Sequence, residues 1–137
     1  MGIIEKDKRV LAPKYLIFVR SLPCVVCDSP KTAPHHVVGH GFSGGALKPD
    51  DYLVIPLCNK HHTGDEGVHR GHKSWEFQYG SQLVMCVDTL LMAYVLKAID
   101  QEVAIEYLGM LDSKVGQKCV EDAFNRVIEL AYGVRYE

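Results

Sequence analysis

No stretch of this sequence is apolar for the roughly 20 residues that a membrane-spanning helix needs. No secretory leader is expected either, because Met1 is followed within a few residues by Glu5, Lys6, Asp7, Lys8 and Arg9. Gly2 has no Ser or Thr at position 6, so myristoylation is not indicated. The expected setting is therefore soluble and cytoplasmic, with no membrane partner. There is no internal repeat and no low-complexity tract. A strong charge imbalance is also lacking: the net charge is −2 and the isoelectric point about 6.4. That excludes a broadly basic nucleic-acid binder and leaves room only for weak non-specific DNA affinity, easily lost in salt. Finally, an even cysteine set is absent. Five cysteines without a leader do not make a disulfide framework, so their spacing points to metal instead.

What is present is an ordinary globular mixture, 47% hydrophobic and 23% charged, in 137 residues. That length favours one core of modest size. The acidic excess is unevenly placed. Through Gln82 there are ten basic against eight acidic residues, and from Leu83 onward five against nine. The histidine- and cysteine-rich part is thus the less acidic one, and bound cations would add positive charge to it.

Periodicity divides the chain in the same place. The first dozen residues read as loose, with Ile3-Ile4 a short apolar exception. Pro13 suits the first turn of a helix carrying Tyr15, Leu16, Phe18 and Val19, and Pro23 ends it. Residues 33–38 and 52–57 read as short strands around a glycine-rich flexible loop, Gly39 to Pro49. Gly64, Gly67 and Gly71 interrupt any continuous helix before one expected over Lys73–Tyr79. From Gln82 on, apolar stripes recur at helical spacing, with Leu90, Leu91, Tyr94, Val95 and Ala98 on one face. A shorter helix is expected over Val103–Leu111, and another stripe runs Val120, Ala123, Phe124, Val127, Ile128 and Ala131. The expected class is α+β: residues 1–82 form a metal finger, and residues 83–137 a helical region that either packs on it or builds a homodimer interface. Cys86 and Cys119 read as buried, inert thiols.

Two sets of ligands lie in the first part. Cys24, Cys27, Cys58 and His61 make two C-x2-C and C-x2-H knuckles, the spacing of a closed tetrahedral zinc site; His62 is the alternative fourth ligand. Such a site holds a small fold together. His35, His36, His62 and His69 remain. Three imidazoles can hold a hydrolytic metal and leave a position open, and a fourth, titrating near neutral pH, can take a proton from water. This count suits metal-assisted phosphodiester hydrolysis. Lys48, Lys60, Arg70 and Lys73 lie around these residues and could position a phosphate backbone, though each alone is an ordinary solvated side chain. His40 reads as an idle loop histidine within reach of a DNA phosphate, and His72 as a surface residue.

The segments Leu22-Pro23-Cys24-Val25-Val26-Cys27, Pro34-His35-His36, Lys48-Pro49-Asp50-Asp51, Ile55-Pro56-Leu57-Cys58-Asn59-Lys60-His61-His62, Gly67-Val68-His69 and Phe77-Gln78-Tyr79-Gly80 together resemble the HNH endonucleases of the ββα-metal, or His-Me finger, fold. Within that group the chain resembles small phage-borne enzymes, including the RecA-dependent recombination nucleases of the Ref family. The resemblance runs from about Tyr15 to Gly80 and does not reach the C-terminal helices. It implies an enzyme of phage or prophage origin that cuts DNA with Mg2+, Mn2+ or Zn2+, linked to recombination or DNA processing, with a recombinase as a candidate further partner. It further implies His35, His62 and His69 as metal ligands and His36 as general base. Because neighbouring strand residues face opposite ways, the roles of His35 and His36 can also be exchanged. The family's middle Asn has no clean counterpart; Asp51 is nearest and Asp50 its rival. The family also sets its last two ligands four apart on a helix, whereas His62 and His69 are seven apart. On a straight helix they would stand ~10.5 Å apart along the axis, so the helix must break at Gly64 and Gly67, or Glu66 becomes the ligand. The reading from a different class is a non-catalytic zinc-stabilised module that binds nucleic acid or protein.

Overall fold

The computed structural model describes residues 9–42 and 48–133. Ile3-Ile4 and the centre of the glycine-rich loop, residues 43–47, lie outside the described residues. The architecture is a small α+β one. Helix α1 (Pro13–Arg20) precedes a two-stranded antiparallel sheet of β1 (Ala33–His36) and β2 (Val54–Leu57). Short helix α2 (Asn59–His62), a 3-10 turn (Val68–Arg70) and α3 (His72–Tyr79) follow, and α4 (Gln82–Val95), α5 (Gln101–Val115) and α6 (Gln117–Tyr132) complete the chain. Among the described residues no helix is long and apolar enough to cross a membrane.

The sheet register pairs His35 with Ile55 and His36 with Val54. Each strand is two residues shorter than its sequence pattern, although Val37 still donates to the Leu53 carbonyl at 3.0 Å. Every residue of β2 is buried. One reason is α1, which packs on the sheet; the other is α4, which also packs on β2. Helix α4 is capped by Ser81, whose Oγ accepts from the Leu83 and Val84 N–H groups. Its buried residues include Leu83, Cys86, Val87, Thr89, Leu90, Leu91 and Ala93, a wide apolar face, while Val84, Met85, Asp88, Met92 and Val95 on the opposite face are half-buried. Helices α5 and α6 cover its other side. Helix α5 is longer than its apolar stripe suggests, because Asp100 caps it two residues early by accepting from Val103 N–H.

The helical region and the finger therefore share one core. Tyr52 packs at a tilt against Tyr107 of α5 with ring centroids 4.9 Å apart, and Tyr107 donates to Asp50 Oδ2 at 2.8 Å. Cys86 is fully buried, and burial pushes its thiol well above the ordinary range, so it is inert. Cys119 is only half-buried, a correction to the sequence expectation. A second correction concerns the N-terminal dozen: its described part, residues 9–12, is pinned rather than loose. Val10 N–H donates to Asp50 Oδ1 and Asp51 N–H to the Val10 carbonyl, while Arg9 and Ala12 both reach Asp51.

Candidate metal centres and the histidine-lined cavity

The knuckles come together first. The ligand atoms of Cys24, Cys27, Cys58 and His61 all lie within 4.8 Å of one another. The Cys27–Cys58 Sγ separation is 3.6 Å, and His61 Nδ1 stands 3.2 Å from Cys58 Sγ and 4.0 Å from Cys24 Sγ. Metal–sulfur bonds of about 2.3 Å in a tetrahedron require sulfur edges of roughly 3.8 Å, so the frame has the dimensions of a zinc site. This cluster could hold a metal such as zinc, with His61 rather than His62 as its nitrogen ligand. Burial pushes the Cys58 thiol up, but hydrogen bonds from the His61 backbone and ring, then from Cys27 and Cys24, outweigh it and bring the thiol down to about 7. A thiol so close to ionisation is a ready metal ligand. Tyr79 packs edge-on against His61, at 5.0 Å between centroids.

The second cluster is His35, His62 and His69, again with one nitrogen from each ring inside 4.8 Å. The ring centroids are 4.9–5.1 Å apart. The helix break needed to bring His69 to His62 is present. Helix α2 ends at His62, and the chain folds back so tightly that a Cβ on Gly67 would lie 2.6 Å from the His62 carbonyl oxygen. A Cβ on Gly64 would meet the Asn59 carbonyl oxygen at 2.9 Å. Glycine is required at both positions for that close approach. Glu66 points elsewhere, accepting from Tyr79 Oη at 2.6 Å and pairing with Lys60 Nζ at 2.8 Å. It is therefore not the third ligand of this cluster.

His35 is 1% exposed, on the core-facing side of β1. Its Nε2 meets Gln82 Oε1 at 2.9 Å. The orientation of that amide follows from its other partners: Oε1 also accepts from Val38 N–H at 3.1 Å, and Nε2 of Gln82 donates to the Val38 carbonyl at 3.1 Å. The histidine must then carry its proton on Nε2, which leaves Nδ1 as the lone-pair nitrogen. Burial first, and then the neighbouring His62, His69 and His36 rings, lower the His35 pKa to about 3 against the opposing effect of Gln82. His35 is thus a neutral imidazole, the form that ligates metal. Burial also lowers His62, helped by His69, His36 and Lys48. Gln82, fully buried at the head of α4, had no sequence signature beyond being a polar residue opening an apolar helix.

His36 stands apart from the cluster and has its own partner. Its Nε2 lies 2.9 Å from Asp51 Oδ1, and a carboxylate can only accept, so Nδ1 is again the free nitrogen. Asp51 is 2% exposed yet fully partnered: Arg9 Nη2 donates to Oδ1 at 2.7 Å and Ala12 N–H to Oδ2 at 2.9 Å. Burial alone would raise Asp51, but the Ala12 N–H, His36 and the Arg9 guanidinium together hold it below the usual carboxylate range. Asp50, the rival, instead ties Val10 N–H and Tyr107 Oη.

His35 and His36 point to opposite sides of β1, but β1 ends at His36, and both rings border one cavity of about 550 Å³ together with His62 and His69. Lys48 and His40 line the same cavity. The other expected phosphate contacts are placed differently. Lys60 is paired with Glu66, Arg70 donates to the Gly64 carbonyl, and Lys73 is exposed on α3; among the described residues these three do not line it. His40, expected to be idle, and His72, expected on the surface, are both placed otherwise. His40 Nε2 is 3.0 Å from both oxygens of Glu76, and His72 is half-buried with its ring pressed against Gly39.

No solved structure matches this chain. A protein of Escherichia coli (strain K12), described as uncharacterized protein YdfU, is 35% identical over 106 residues, which are 77% of this chain and 27% of that protein. The chain thus spans about a quarter of the length of the curated relative it matches. The protein family described as "Protein of unknown function (DUF968)" matches residues 3–97, a stretch that holds both candidate ligand clusters, the cavity histidines and all of α4; the chain belongs to that family.

Proposed function

We propose that this chain is a metal-dependent endonuclease of the HNH type, hydrolysing phosphodiester bonds in DNA. One observation carries the reading: three imidazoles converge beside a fourth that a buried carboxylate holds, and all four rings line one cavity. In this reading β1, β2 and α2 form a ββα-metal finger, propped by a structural zinc on Cys24, Cys27, Cys58 and His61. His35, His62 and His69 hold a divalent cation, Mg2+, Mn2+ or Zn2+, which when bound supplies Lewis-acid stabilisation of charge on the phosphoryl oxygens and the leaving 3′ oxygen.

The chain's own residues do the rest. His36 takes the proton of the attacking water at Nδ1, the nitrogen that Asp51 leaves free. Asp51 keeps the ring in that tautomer and stabilises the imidazolium that forms. It is a positioning residue, itself fixed by Arg9 and the Ala12 N–H. Gln82 does the same for the ligand His35. Lys48 offers a cation to the phosphate backbone at the cavity's edge. A phage or prophage origin, a role in recombination and a recombinase partner belong to the same proposal, through the resemblance alone.

The test is conversion of supercoiled plasmid to nicked or linear form with added Mg2+ or Mn2+, comparing the wild type with His36→Ala. Cleavage should fall by roughly 10²–10⁴-fold in the variant, with fold and metal content retained. Undiminished cleavage in His36→Ala would remove the proposed base. A wild type that binds DNA without cutting it under either metal would favour a non-catalytic zinc module.

A further inference from the structure

A second histidine–carboxylate pair stands at the cavity, with His40 in its lining and Glu76 behind it. His40 Nε2 lies 3.0 Å from Glu76 Oε1 and 3.0 Å from Oε2, a closer match to the His36–Asp51 pair than to a stray loop contact. Glu76 is itself fixed, because its Oε2 accepts from Gln82 N–H at 2.8 Å. The loop carrying His40 is built to present it. Gly39 has φ +80° and sits so near His72 that a Cβ there would lie 2.4 Å from the ring, so only glycine fits. His72 Nδ1, 3.8 Å from Glu76 Oε1, completes the wall behind the pair. The His40 side chain is 25% exposed and borders the same cavity as His36. The two carboxylates stand behind the lining on different elements: Asp51 on the turn before β2, Glu76 on α3.

We propose that His40 is a further catalytic residue, the general acid that protonates the leaving 3′ oxygen. The assignment rests on the nuclease reading above and extends it. A carboxylate accepts only, so Glu76 commits Nε2–H of His40 and leaves the ring's other nitrogen, Nδ1, as the one available to a ligand. In an in-line displacement the entering and leaving oxygens lie on opposite sides of phosphorus, so base and acid must be separate groups, and His36 and His40 are separately anchored imidazoles bordering one cavity. Water oxygen bonds to phosphorus as His36 takes its proton. The P–O3′ bond breaks, its electron pair stays on O3′, and His40 Nδ1–H supplies the proton. Solvent then removes one proton from His36 and returns one to His40. Glu76 is the positioning residue, as Asp51 is for His36.

The experiment compares leaving groups. A DNA duplex is prepared with its ordinary bridging 3′ oxygen, and again with sulfur in that place, at the bond the wild type cuts. A thiolate leaves without protonation. With Mn2+, His40→Ala should slow cleavage of the oxygen substrate by roughly 10²-fold or more, and of the sulfur substrate by less than about 3-fold. The variant-to-wild-type ratio on each substrate cancels any change in metal–sulfur contact. His40→Gln, which can still donate to Glu76 and so keeps the loop clasped, should behave in the same way. If both variants slow both substrates equally, or if His40→Gln cuts the oxygen substrate at the wild-type rate, His40 is a structural clasp and the assignment falls. A wild type that cuts neither substrate overturns the nuclease reading and this assignment together, a result distinct from equal slowing.

Discussion

The two ligand clusters are built from interleaved chain segments, yet they are arranged for opposite ends. Cys24, Cys27, Cys58 and His61 close on one another with three sulfurs and a nitrogen, and three of the four residues are buried. His35, His62 and His69 grade from buried through half-buried to exposed, and all three border a cavity of about 550 Å³. A complete tetrahedron of thiolate-rich ligands leaves no coordination position and serves stability; three imidazoles at a cavity leave one for a reacting group. The adjacent residues His61 and His62 serve different clusters. One turn of short helix is enough to send one ring inward to the sulfurs and the next toward the cavity.

That contrast can be broken most severely from the closed side. Cys58→Ser should abolish metal binding there and with it the folded finger, since structural zinc contributes roughly 10–16 kcal/mol in small zinc-binding folds. Loss of cooperative thermal unfolding, followed by circular dichroism, together with loss of one equivalent of zinc, would show it. His62→Ala sharpens the comparison. Cleavage should fall to background while the melting temperature moves by no more than a few degrees, because the residue is half-buried and takes no part in the closed cluster. Equal destabilisation by the two substitutions would mean that both clusters are structural.

Gln82→Leu comes next. It leaves His35 Nε2–H and the Val38 N–H and C=O without their partner. Metal affinity at the open cluster should drop by roughly 10–100-fold, measured by titration with Mn2+ and the closed site's zinc unchanged. The smallest effect is expected from Asp51→Asn, read as stability against pH. Asp51 is held below the ordinary carboxylate value in the fold. Its contribution to stability is therefore complete above about pH 4, the unfolded value, and is lost as pH falls through the lower folded value. Urea midpoints for Asp51→Asn should lie below wild type at pH 7 and converge with it in acid. Parallel curves at every pH would contradict the charge-based account.

How legible this was depends on the kind of signal. The C-x-x-C and C-x-x-H knuckles are local, because each pair of ligands is presented by one turn, and such a turn can be recognised without its surroundings. The helical stripes of α4 and α6 are local in the same sense. The break between His62 and His69 was also readable, since a seven-residue spacing cannot serve one metal on a straight helix and glycines stood between. The boundaries were less so. Residues 9–12 look like an idle charged terminus, but Asp50 and Asp51 recruit them across about 40 positions of sequence. Lys60 and Arg70 look like phosphate contacts until Glu66 and the Gly64 carbonyl claim them.

The amino-acid order alone determined the ligand types, their grouping into a sulfur-rich set and an imidazole set, and the alternation of strand and helix that carries them. These follow from side-chain chemistry and from short-range periodicity. Only the tertiary structure decided which nitrogen of His35 and of His36 is free, that Gln82 and Asp51 are what free it, and that His40, held by Glu76, borders the same cavity. Those outcomes depend on hydrogen bonds between segments far apart in the chain, and no local pattern encodes which distant partner a buried polar group will find.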